Sequence, residues 1–333
     1  TTITAFTLGA NDPYVVMWYH ISEYFRMNPK GVLFVGIYAV PGTLNFSEIA
    51  LMNVYADGKI RQMGVFQTGT AFVISQVQSL QAAGLIEEQN NRPLSIIYGA
   101  DISASTLSSL PDLSIAASPK VSVVVGQDGA AKGAALYVYT GKSVTTLGAT
   151  LGVVSASKVS ENIAWVDKHN LANVELDTAA FANGAQYKGT ATGLLEQLHS
   201  FGYIFLRKFN ERAGTYFNFS TTATISTSDY FTIENNRTID KALRNLRTVY
   251  IPQLNSPLLV NSAGKLNADT LAYLRMIGNG ALQNMLNNDE VSAFEVAIDP
   301  NQNVLSTSKL VVTVRIIPIG VAKTIEVNLS YTI

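Results

Sequence analysis

Residues 309–333 read KLVVTVRIIPIGVAKTIEVNLSYTI. Two β-type runs, residues 310–317 and 323–331, are joined by Pro318-Ile319-Gly320. The second run alternates strictly. Ile325, Val327, Leu329 and Tyr331 fall on one face, and Thr324, Glu326, Asn328 and Ser330 on the other. That is the two-residue period of a half-buried strand. Chain ends fray unless something ties them down. An extended end with one apolar face therefore needs a sheet to join, in its own subunit or in another, and the alternation leaves both open.

Working outward, residues 293–299 read as a strand and 268–286 as a helix closed by Asn287-Asn288-Asp289. Thr238 has the chemistry of an N-cap for a helix over residues 239–250. Ile239, Ala242, Leu243, Leu246 and Tyr250 form its apolar stripe, while Lys241, Arg244 and Arg247 step by three on the other side. Charged residues make up only 14% of the chain, against roughly 25% in an average soluble domain, so three cations in line stand out. Asp240 is near, but no Glu sits four residues before any of them, and the row reads as unpaired. Such a row is either a solvated helix face or a contact for an acidic protein surface. Nucleic acid suits it less, since no aromatic residues interleave with it.

Upstream the pattern changes. Residues 31–39 (GVLFVGIYA), 63–67, 94–98 and 120–125 (KVSVVV) read as strands. Helical patterns cover 15–25, 46–55, 71–89, 105–110 and 131–157, the last broken near Gly141. Strands alternating with helices predict an α/β layered domain with a largely parallel sheet. The expected division is an N-terminal arm over 1–13, whose completeness the absent initiator Met leaves open, then an α/β domain over 14–201. An α+β domain over 202–322 and an extended C-terminal β arm over 323–333 complete it.

Hydrophobic residues reach 47%, net charge is −1 and Cys is absent. No apolar run approaches the ~20 residues of a membrane helix, so no membrane insertion is expected. The near-neutral charge supplies no footprint for nucleic acid. A greasy, weakly charged chain is expected to bury much surface between subunits, although a large monomeric α/β core has the same composition.

Catalytic signatures fall short. Gly126-Gln127-Asp128-Gly129 follows an apolar strand, where α/β folds bind ligands, but it is not GxGxxG. Gly141-Lys142-Ser143 mimics a P-loop end, yet Leu136 stands where the first Gly is required. His20, His169 and His199 have no partner at metal-ligand spacing. Asp101 and Asp128 are a pair of acids expected at neighbouring strand ends. GxSxG is absent. No enzyme activity, cofactor or metal is expected.

The C-terminal third resembles the tail sheath proteins of contractile phage tails and related injection machines. The order of its segments carries the likeness: GYIFLRKFNERAGTYFNFS (202–220), ENNRTIDKALRNLR (234–247), GALQNMLNNDEVSAFEVAIDPNQN (280–303) and the tail (309–331), with ENIAW (161–165) upstream. The resemblance implies a structural subunit that polymerises in helical rings around an inner tube and contracts to drive the tube through a target envelope. It implies partners: other copies of the chain, the inner tail tube protein, and baseplate and tail terminator proteins. It implies a place in the virion tail, assembled in the host bacterial cytoplasm. Terminal arms would pair with sheets of neighbouring subunits, the C-terminal one through Thr324, Ile325, Glu326, Val327, Asn328, Leu329, Ser330 and Tyr331. Lys241, Arg244 and Arg247 would face the tube. The competing readings are a nucleotide-binding or hydrolytic α/β enzyme with swapped strands, and a non-contractile shell or baseplate protein.

Overall fold

The computed structural model describes residues 14–40, 42, 44–67 and 69–323. The expected N-terminal arm and the strand over 324–331 lie outside the described residues. The chain divides into two compact units, Thr1–Arg237 and Thr238–Ile333.

In the first unit the elements run α1 (Val15–Met27), α2 (Glu48–Tyr55), β1 (Gln62–Phe66), α3 (Ile74–Gln89), β2 (Ser95–Gly99), β3 (Val121–Val124), β4 (Gly126–Asp128), α4 (Lys132–Thr140), α5 (Leu147–Ala156), β5 (Ala179–Phe181), α6 (Thr192–Ser200), β6 (Tyr203–Ile204), β7 (Leu206–Phe209) and β8 (Arg212–Phe217). The main sheet is parallel, in the order β1-β2-β3-β6. Every residue of β2 and β3 is buried, Ser95 and Ser122 included, which explains their largely apolar character: a central parallel strand has no solvent face. Their alternate side chains feed two cores. Ile96, Tyr98, Val121 and Val123 pack with Val77 and Leu80 of α3. Ile97 and Val124 point the other way, to Leu147, Val153 and Val154 of α5. Antiparallel pairs β4–β5 and β7–β8 flank this layer.

Three expectations change in this unit. The boundary expected near Gly202 falls inside it, because Tyr203 and Ile204 add to β3 as the fourth strand of the sheet. The helix expected over 105–110 is a 3₁₀ turn, Leu107–Ser109. Residues 31–39, expected as a buried strand, join no ladder, and Val32 is 80% exposed. An apolar run has the composition of a strand, but pairing is a tertiary event that composition does not decide.

Helix α7 (Ile233–Tyr250) begins in the first unit and continues into the second. It starts six residues before the expected first helical residue, Ile239. Thr232 caps it, accepting the amide of Asn235 at 3.3 Å, and Thr238 is a buried interior residue. The second unit adds α8 (Ala268–Asn287), β9 (Ala293–Ala297), α9 (Val304–Thr307) and β10 (Thr313–Ile317). Ala242 and Leu246 of α7 pack with Leu282 and Met285 of α8 and Val296 of β9. The Tyr250 hydroxyl donates to the Leu274 carbonyl at 2.9 Å. Of the expected apolar stripe, Ala242, Leu246 and Tyr250 pack inward, Ile239 is half-buried outside these clusters and Leu243 is exposed. Strands β9 and β10 pair antiparallel, Val296 opposite Val314 and Phe294 opposite Ile316. The first unit is α/β and the second α+β.

Candidate functional site

The cation row on α7 differs from its sequence reading. Lys241 is not unpaired: its Nζ lies 2.6 Å from both carboxylate oxygens of Glu290, which follows α8 and is buried. The partner is 49 residues away, beyond any search at helical spacing. Arg244 and Arg247 are half-buried and each has an interaction of its own. Lys241 is therefore a strut within the second unit, and the two arginines are the remaining cations of the row.

The β9–β10 sheet has two strands among the described residues, so each strand has one edge without a ladder partner. A two-stranded ribbon is marginal by itself. This one packs against Leu282 and Met285 of α8 and against Val291, which follows that helix. Thr313, Arg315 and Ile317 are exposed in alternation with half-buried Val314 and Ile316. Residues 324–331 follow β10 in sequence after the six-residue link PIGVAK, residues 318–323.

A third feature was not read from spacing. Around the head of α7 the first unit encloses a polar network. The Asn162 amide, from ENIAW, donates to Ser220 Oγ at 2.9 Å and to Glu234 Oε1 at 2.8 Å. Ser220 Oγ lies 2.7 Å from Glu234 Oε2. The Asn236 amide donates to the carbonyls of Pro119, Tyr230 and Thr232, and Arg237 donates to those of Ser157 and Lys158. The ENIAW and ENNRT segments thus meet in space and anchor the first turn of α7. Buried polar groups persist only when hydrogen-bonded, and here short amide and hydroxyl side chains supply the bonds. The signal in sequence was the recurrence of Asn and Glu in otherwise apolar surroundings.

Burial raises the Glu234 carboxyl above the ordinary glutamate value of 4.5, against the opposing pull of the Ser220 and Asn162 bonds. Between the two values the folded chain holds a proton that the unfolded chain has released, so stability falls as pH rises through that window. Glu234→Gln, which keeps the shape and stays neutral, is expected to remove this part of the slope. Urea unfolding of both chains from pH 4 upward checks it; parallel profiles would refute the assignment.

The candidates for chemistry are occupied otherwise. Asp128 accepts the amides of Ala130 and Gly133 and so caps α4. Asp101 accepts from Gly69, Ser103 and Ser143. Each is spent on backbone and hydroxyl donors. Gly141 ends α4 in a left-handed conformation, with no phosphate cradle. His20 is fully buried, edge-on to Phe66, and burial pushes its imidazole down to about 3. His199 Nδ1 accepts from Asn218 at 3.0 Å. His169 Nε2 lies 3.1 Å from Ser157 Oγ. That hydroxyl already donates to the Val153 carbonyl, so the imidazole is the donor and the pair is a helix-end contact rather than a nucleophile and base. Among the described residues no group of three or more His, Cys, Asp or Glu could hold a metal, and no helix is long and apolar enough to cross a membrane.

Comparison with known proteins gives a consistent result. Residues 65–220 match the N-terminal domain of DUF2586 and residues 229–333 its C-terminal domain. No curated protein sequence matches the chain. Among solved structures, the helical sheath of the anti-feeding prophage in its contracted state aligns with a TM-score of 0.66 at 15% identity, over 96% of this chain and 83% of that one. A chain of the six-fold symmetrised baseplate of the same prophage aligns at 0.64 and 14% identity, over 98% and 83%. The contracted sheath of the PVC extracellular contractile injection system aligns at 0.51 and 13%, over 77% and 68%. At these identities the likeness is one of fold, and it extends through both units.

Proposed function

The chain belongs to the DUF2586 family and has the fold of contractile-injection-system sheath proteins, and from this premise we propose that it is a structural subunit of a contractile sheath. It polymerises in helical rings around an inner tube and contracts to drive that tube through a target envelope. The observation that carries this reading is the extent of the likeness to a contracted sheath subunit, 96% of the chain. The particle is a phage tail or a phage-like injection device, assembled in the bacterial cytoplasm, with baseplate and terminator proteins at its ends. No bond-breaking chemistry is needed, since work comes from subunits re-packing.

Residues 324–331 serve as the strand passed between subunits, adding to an open edge of a two-stranded sheet such as β9–β10. Main-chain hydrogen bonds then tether neighbours while globular faces slide. Arg244 and Arg247 face the inner tube, with Lys241 in the same row. Exposed ion pairs contribute roughly 0–1 kcal/mol each. A row of them holds a tube in aggregate and releases it readily.

Electron microscopy of the purified protein tests the central reading. Helical tubes are expected; closed compact oligomers at every concentration would overturn it. The tube-facing assignment has its own test. Arg244→Glu with Arg247→Glu is expected to lose co-purification of the inner tube, with stability changed by at most about 1 kcal/mol per site. Lys241→Glu is expected to act differently. It sets a second carboxylate against buried Glu290 and costs about 1–3 kcal/mol of stability, less than a fully buried pair because Lys241 is a third exposed. Retained tube in the double variant would sink the assignment.

A further inference from the structure

Where α1 and α5 end, the first unit carries a cleft of about 400 Å³, a size that suits a small molecule. Among the described residues its wall holds the cations Arg26 and Lys168, the imidazole of His169 and the amides of Asn170 and Asn173, and no carboxylate. The rest of the lining is apolar.

The donors of this wall are not used up by the protein. Asn170 Oδ1 accepts the backbone amides of Ala172 and Thr215, both at 3.1 Å. Those two bonds fix the oxygen on their side and turn Nδ2 away from them. Among the described residues neither Asn170 Nδ2 nor the Asn173 side chain has a hydrogen-bond partner. Arg26 binds Glu23 and the Leu171 carbonyl, and Lys168 binds Glu161. Both cations keep N–H donors beyond these bonds, and neither acid lines the cleft.

Helix C-termini attract cations by themselves, and two helices end here. Yet none of the basic side chains donates to a carbonyl of α1 or α5. Arg26 reaches Leu171, Lys168 reaches Glu161, and His169 reaches the Ser157 hydroxyl. Capping these helices therefore does not explain the cluster. The field within it is positive at His169, whose imidazole is held below its ordinary value first by burial and then by Lys168, with a smaller opposing pull from Glu161. A wall of surplus N–H donors, two cations and no acid is the complement of an anion with several acceptor oxygens.

We propose that this cleft binds a small tetrahedral oxyanion, a free sulfate or phosphate ion or the phosphate group of a small ester, through the amides of Asn170 and Asn173 and the charges of Arg26 and Lys168. The site lies wholly within the first unit and does not depend on sheath assembly.

The chain has three histidines, so imidazole NMR signals of the full chain report on the site. With sodium chloride holding the ionic strength constant, sulfate is expected to move the His169 signal saturably, with a dissociation constant of about 1 mM. The signals of His20 and His199 are expected to stay in place. Asn170→Asp accepts the same two backbone amides but sets a carboxylate where the donor was. Asn173→Asp does the same at an exposed side chain with no bond to lose, so it keeps the test open should the first variant fold poorly. Each is expected to weaken sulfate at least about tenfold. Phenyl phosphate is the second probe. Binding about tenfold tighter than sulfate assigns the cleft to an ester whose apolar body lies on the apolar lining, and equal binding assigns it to the free ion. An unmoved His169 signal, a shift that chloride alone reproduces, or undiminished sulfate binding in both variants would overturn the proposal.

Discussion

Removing residues 323–333 is expected to abolish polymer formation while leaving a folded subunit. The described cores of the second unit do not include these residues. One is built from Ala242, Leu282, Met285, Val291 and Val296, the other from Leu266, Leu274, Ile298 and Val304. The deleted run carries Ile325, Val327, Leu329 and Tyr331 on one face. An added strand contributes about 0.5–1.5 kcal/mol per main-chain hydrogen bond, and its apolar face roughly 25 cal/mol per Å² buried, less the cost of ordering the segment. A net tether of about 4 kcal/mol per subunit contact changes an association constant about a thousandfold. A polymer that needs this contact at every subunit then vanishes at ordinary concentrations. Sedimentation and electron microscopy read the polymer, and urea unfolding reads the fold. A truncated chain that still builds tubes would remove the arm from the account.

Gly148→Val is expected to unfold the first unit or leave it barely stable. Helices α1 and α5 cross at two glycines one turn apart, Gly148 and Gly152. A Cβ at Gly148 would overlap the carbonyl of His20, and one at Gly152 would stand 2.6 Å from the carbonyl oxygen of Tyr24. Both obstacles are backbone in a neighbouring helix, so no rotamer change relieves them. The helices must part, and parting strips contacts from Leu147 and Val153, which help close the core below the sheet. Overpacking of ordinary side chains costs about 1–3 kcal/mol. A clash with backbone belongs with the exceptional substitutions above about 4–5 kcal/mol, against a total stability of about 5–15 kcal/mol. The helix propensity gained on losing Gly, about 1 kcal/mol, does not offset it. Gly280 of α8 is the internal control, since a Cβ there meets nothing within 4 Å. Gly280→Ala is expected to be neutral or to stabilise by up to about 1 kcal/mol. Urea unfolding of the three chains decides; an unchanged midpoint for Gly148→Val would refute the close crossing.

Residue patterns carried much of this fold. The largely apolar runs at 94–98 and 120–125 are the buried strands β2 and β3, within a residue of the expected positions. The break at Gly141 separates α4 from α5, and the spacing of Ala242, Leu246 and Tyr250 finds the face α7 turns to α8. Segment order in the C-terminal third pointed to the sheath fold that the structural likeness bears out.

Other features were settled only by the chain as folded. Residues 31–39 have the composition of a strand but no partner among the described residues. Thr238 has the chemistry of a cap but sits inside a helix that Thr232 already caps. Lys241 is paired through Glu290, and Asn162 reaches Glu234 across 72 residues. The division has one physical cause. Periodicity is a local property, because side-chain direction repeats every 2 or 3.6 residues whatever the rest of the chain does. Pairing is not local: which edge, which carboxylate or which amide a residue meets depends on closing loops of tens of residues. Sequence alone therefore determined the elements and their apolar faces in this protein, and the tertiary structure decided how its polar and edge groups are satisfied.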